Sequence, residues 1–206
     1  RWCTQMSSSK NSTQFATFQG AVIYENFEWS SIDSANDRLP SQIIYTIFVD
    51  SKNRKWIGTR KGNVCIQDTS HVFFSKSNTP LNSVPIISAT EDWNNSIWFG
   101  LSNADNKGGI AVLSENGDWI TFNISNSNIP GNTILDFAVD RERKQIWMSI
   151  AGVGIVLYKN EQWFAYTQDN SAVPSTYISD LDLAKNGDIW AATSNGLLHL
   201  KLIEDQ

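Results

Sequence analysis

Lys55-Trp56-Ile57-Gly58-Thr59, closed by Gly62, is the phrase on which the fold turns, because the chain repeats it. It returns as Ile97-Trp98-Phe99-Gly100 with Gly108 and Gly109, and as Ile146-Trp147-Met148-Ser149 with Gly152 and Gly154. A fourth copy reads Ile189-Trp190-Ala191-Ala192-Thr193, then Gly196. The four Trp are 42, 49 and 43 residues apart, a period that marks a repeat architecture. Asp50, Asp92 and Asp140 lie six or seven residues before the first three Trp. Before the fourth stands Lys185-Asn186-Gly187-Asp188, turn chemistry of another kind. Beyond each glycine comes an apolar run such as Gly154-Ile155-Val156-Leu157-Tyr158, then an aromatic one such as Trp163-Phe164-Ala165-Tyr166. Each period closes on a polar loop ending in Pro40, Pro80, Pro130 or Pro174.

One period therefore holds four short β runs separated by turn residues, and no helical periodicity appears anywhere. The run Ile43-Ile44-Tyr45-Thr46-Ile47-Phe48-Val49 is nearly all apolar, as expected of a strand covered on both faces. Four strands per 42 residues, repeated radially, make a propeller blade. A shift of 42 uncovers a fifth copy at the N-terminus: Gly20 falls on Gly62, Thr17 on Thr59, and Gln14 on Trp56. The predicted fold is all-β, a five-bladed β-propeller forming one domain over residues 1–206. Its blades run approximately 1–41, 42–82, 83–131, 132–175 and 176–206. This leaves nineteen strands, the last blade lacking its outer one. Either that blade has three strands, or the chain is cut from a larger ring, or a partner chain pairs with the open edge. Arg1 in place of an initiator Met fits processing or a longer parent.

Composition removes several function classes. The chain has 206 residues, 41% hydrophobic and 18% charged, enough for one folded domain with a sizeable core. A formal charge of −5 with no concentrated basic face speaks against nucleic acid. No apolar stretch approaches the length of a membrane helix. Cys3 and Cys65 are too few for a disulfide scaffold or a zinc site, and their placement in different blades predicts two free thiols. His71 and His199, the two histidines, fall on an outer and a third strand, away from the axis. Neither a Ser-His-Asp arrangement nor a metal site is expected, and no cofactor. The Trp column reads as blade-to-blade core, and the recurrent Asp residues as turn caps.

Two groups of residues read as candidate binding positions. Superposing the inner strands puts Thr4, Thr46, Ser88, Asp136 and Asp180 at one polar level, a candidate collar around the axis. The second group is the loop rim, where Arg60 and the insertion carrying Asn103, Asp105, Asn106 and Lys107 stand. That insertion accounts for the 49-residue spacing, and extra loop length on a regular scaffold is where binding tends to sit.

These phrases resemble the two-component regulator propeller repeat, the extracytoplasmic sensing module of bacterial hybrid histidine kinases. The resemblance rests on Asp50, Trp56-Ile57-Gly58-Thr59 and Gly62; on Ile97-Trp98-Phe99-Gly100; on Ile189-Trp190, Thr193 and Gly196-Leu197; and on Asn170-Ser171-Ala172-Val173-Pro174. It implies a periplasmic or extracellular, non-catalytic module that binds a small, saccharide-like ligand or a protein partner. The alternative is a five-bladed glycan hydrolase with Asp136 and Asp180 as its acid/base pair, which requires those carboxyls roughly 5–9.5 Å apart.

Overall fold

A computed structural model describes residues 3–8, 12–33, 39–74, 79–81, 84–102 and 108–201. Within residues 3–8 Met6 is the one side chain described. Blade one holds β1 (Cys3–Ser8), β2 (Ser12–Thr17), β3 (Gly20–Glu25) and β4 (Glu28–Ile32). Blade two holds β5 (Ile44–Val49), β6 (Lys55–Thr59), β7 (Gly62–Gln67) and β8 (Ser70–Phe74). In blade three are β9 (Ile86–Glu91), β10 (Ile97–Leu101), β11 (Gly109–Leu113) and β12 (Trp119–Phe122). Blade four comprises β13 (Ile134–Asp140), β14 (Gln145–Ile150), β15 (Gly154–Lys159) and β16 (Gln162–Tyr166). Blade five has three strands, β17 (Ile178–Leu183), β18 (Ile189–Thr193) and β19 (Gly196–Leu200). Every sheet is an antiparallel meander, and the molecule is a five-bladed β-propeller.

The Trp residues sit in the seams between blades. Trp56, Trp98 and Trp147 are buried. Trp56 meets Phe99 of the next blade edge-on at 5.0 Å, and Trp98 meets Tyr158 of the next at 5.2 Å. The expectation of burial fails at Trp190, which is 38% exposed because none of the described residues packs over that face of blade five as a further blade would. Its ring stacks instead on His199, 4.0 Å away.

The recurrent Asp residues cap turns, and two of them also latch the Trp. Asp50 accepts the backbone N–H groups of Lys52 and Arg54, both at 2.9 Å, and the Trp56 indole N–H at 2.9 Å. Asp92 does the same for Asn94, Ser96 and the Trp98 indole. In blade four the spacing is seven rather than six. Asp140 there bonds Arg143, and the buried Trp147 indole nitrogen has no hydrogen-bond partner.

The glycine of the repeated phrase is set by close approach. A Cβ on Gly58 would lie 2.1 Å from the Ile86 carbonyl oxygen of blade three. One on Gly100 would lie 2.8 Å from the Ile134 carbonyl oxygen of blade four. Only a residue without a side chain lets the next inner strand come that near.

Candidate functional site: the inner strands and the rim

The polar level on the inner strands is real, and a β-bulge sets it. In each blade the first strand skips one residue in its pairing with the second, and the polar residue follows the skip. Thr46 pairs with Gly58, Ser88 with Gly100, Asp136 with Ser149 and Asp180 with Ala192. Blade one departs by a residue. Gln5 pairs with Ala16 at that level, and Thr4 falls on the bulge itself. A fixed shift of 42 misses this because Gln5 lies eleven residues before its partner Ala16, one fewer than separate Thr46 from Gly58.

These groups are directed between blades. Ser88 Oγ donates to the Ile134 carbonyl at 2.9 Å, and Asp136 Oδ2 accepts the Leu181 N–H at 2.7 Å. Thr46 is fully buried. Ser88 and Asp136 thus tie their blades to the inner strand of the following one. The Asp136 and Asp180 carboxyls are near enough to influence each other's titration. Burial, with the Asp180 charge adding to it, pushes Asp136 up to about 7 against the opposing Leu181 N–H. Asp180 is also raised, by burial and then by the Asp182 charge.

At the rim the same backbone bond recurs in four blades. Arg60 N bonds the Ile43 carbonyl, Ser102 N that of Pro85, Ala151 N that of Thr133 and Ser194 N that of Tyr177. In these four blades the turn after the second strand is therefore docked on the loop before the first. The Arg60 side chain is exposed there. Asn103, Asp105, Asn106 and Lys107 lie outside the described residues. Cys65 is a free, buried thiol pushed up to about 11 by burial, while the Cys3 side chain is outside the described residues.

Three features had no clear sequence signal. At the end opposite the rim, Glu91 accepts from Ser51 N and Ser51 Oγ of blade two and pairs with Arg141 of blade four at 3.1 Å. These partners are 40 and 50 residues away in sequence. Beside it, a groove of about 370 Å³ is lined by Asp140, Arg141, Arg143 and Lys185. On the outer face, a groove of about 460 Å³ between blades three and four is walled by Ile120, Phe122, Tyr158 and Trp163. Asn128 and Glu161 stand at its edge, both exposed. Among the described residues no cluster of three or more metal-ligating side chains occurs, and no helix is long and apolar enough to cross a membrane.

No family model and no curated protein matches the sequence. Solved structures do match. The extracellular domain of a hybrid two-component system protein from B. thetaiotaomicron aligns with a TM-score of 0.76 at 16% identity, over 97% of this chain and 27% of that one. PorZ, a surface component of the type-IX secretion system of Porphyromonas gingivalis, aligns with a TM-score of 0.70 at 18% identity, over 96% and 32%. A catalytically inactive histidine-to-alanine variant of virginiamycin B lyase from Staphylococcus aureus aligns at 0.67 and 11%, over 98% and 71%. The shared property is the propeller fold. This chain spans about a quarter of the length of the two-component domain.

Proposed function

We propose that this domain is a non-catalytic, extracytoplasmic ligand-binding propeller of the two-component regulator type, and that its ligand is saccharide-like. The observation that carries the reading is the outer groove between blades three and four. Phe122, Tyr158 and Trp163 offer aromatic surface to the apolar faces of sugar rings, and Asn128 and Glu161 offer hydrogen bonds to hydroxyls. The fold likeness to an extracellular two-component domain supports the sensing role and the compartment. The rim loop carrying Asn103, Asp105, Asn106 and Lys107, together with Arg60, is proposed as a second contact region.

The hydrolase alternative fares worse on geometry. Asp136 Oδ2 is taken by the Leu181 N–H at 2.7 Å between the blades, whereas a glycosidase needs both carboxyls free to flank the scissile bond. The lyase likeness is also limited. One histidine-to-alanine change inactivates that enzyme. Here His71 lies on β8, and His199 is held by Trp190 and by Asp188 at 2.8 Å.

Calorimetric titration with a panel of oligosaccharides tests the proposal. At least one should bind, and Asn128→Ala with Glu161→Gln should weaken it roughly tenfold, the loss of one to two hydrogen bonds. Absence of binding across the panel, or release of cleaved sugar, would overturn it.

A further inference from the structure

The hairpin joining β15 to β16 closes on the Lys159–Gln162 pair, so its turn consists of Asn160 and Glu161. Both lie in the left-handed region, at φ 50° and 61°. Asn accepts that conformation, whereas the second place of such a turn ordinarily belongs to glycine. Glu161 therefore holds a strained backbone that glycine would relieve. Its side chain is exposed at the edge of the outer groove of about 460 Å³ between blades three and four.

Among the described residues that line this groove, Glu161 is the one charged side chain. None of the described residues forms a hydrogen bond or ion pair with its carboxylate. One blade earlier the corresponding hairpin differs, for Glu115 in its turn is paired with Lys52 at 3.2 Å. Beside Glu161 three rings build an aromatic wall. By ring centroid Tyr158 and Trp163 lie 4.5 Å apart, Phe122 and Trp163 5.5 Å, and Phe122 and Tyr158 6.1 Å. Rings so close leave no space between them, and a ligand rests on the wall. Burial, and then the Glu161 charge, hold the Tyr158 phenol above its ordinary range, so its hydroxyl stays neutral and able to donate. One seam earlier Leu113 stands in the place of Tyr158, and the wall there has no phenol.

We propose that this groove selects a ligand bearing a positively charged amine, and that, resting on the saccharide reading above, the ligand is an amino sugar. The ammonium group sits on the wall beside Glu161, where the negative faces of the rings and the carboxylate both attract it. Ser127 and Asn128, from the loop after β12, are left for the sugar hydroxyls. An acetylated or plain sugar offers Glu161 no charge, and an acidic sugar is repelled by it. This contact also accounts for a charge kept at a strained turn where glycine fits better.

Calorimetric titration at low ionic strength tests this with a glucosamine oligomer, the N-acetylglucosamine oligomer of the same length, and tetramethylammonium chloride. The glucosamine oligomer should bind roughly tenfold more tightly than its acetylated counterpart, the gap that one exposed ion pair and one cation–ring contact provide together. Added salt should narrow that gap. Glu161→Gln should close it. Glu161→Gly should close it too while raising the urea midpoint, because glycine suits the turn, and this separates lost selectivity from lost fold. Equal binding of the two oligomers overturns the amine proposal and leaves the saccharide reading standing, as does a preference that survives both substitutions. Tetramethylammonium binding that depends on Glu161, with neither oligomer bound, supports the amine and counts against the saccharide. Binding by none of the three overturns the amine proposal, and the wider oligosaccharide panel then decides the saccharide reading.

Discussion

At Gly100 the backbone of one blade lies against the carbonyl of the next, and the space left there is smaller than a methyl group. Gly100→Ala should cost about 3 kcal/mol in urea denaturation, at the upper end of overpacking penalties, since the obstruction includes backbone that cannot rotate away. Asp136 carries the other residue-scale consequence. Its folded-state value of about 7 lies above the ordinary 3.8, so between these the native state holds a proton that the unfolded chain has released. Its contribution to stability is complete below about pH 4 and is lost as pH rises through about 7. Asp136→Asn keeps an oxygen for the Leu181 N–H and does not titrate, so it should flatten that decline, read from urea midpoints across the window. Sequence placed these two carboxylates at one level. It did not reveal that Asp136 aims into a seam, because side-chain direction at a bulge depends on which residue the pairing skips.

At the scale of the strand and its turn, the repeated unit is a latch. Asp at the turn binds the first N–H groups of the hairpin, then holds the Trp indole so that the ring lies flat in the seam. Trp56→Ala empties a seam closed by Phe74 and Phe99 and should cost about 3–5 kcal/mol. Trp190→Ala should cost about 1 kcal/mol or less in the monomer, because its outer side is already in water. Denaturant midpoints of the two variants, taken below the concentration of any association, separate these values. The six-residue Asp-to-Trp spacing was visible in the sequence. Its purpose became clear only where blade four lengthens it and the indole loses its partner.

Across the whole molecule, bonds far apart in sequence hold the blades in place, among them the link from Ser51 through Glu91 to Arg141 across three blades. The sequence by itself determined the strand order, the blade count and the three-stranded last blade, because those follow from local patterning: a period near 42, alternating apolar runs, and glycine and proline at the turns. It also determined that the Trp column belongs to the core, since a bulky ring recurring at one place in a stacked unit can only be buried by its neighbour. Only the tertiary structure decided which faces have a neighbour. Trp190 obeys the same motif as Trp147 and yet meets water, for burial belongs to the pair of blades and not to the repeat. The outer groove arises in the same way. Ile120 and Phe122 come from one blade, Tyr158 and Trp163 from the next, and the cleft between them exists only once the two sheets are set side by side.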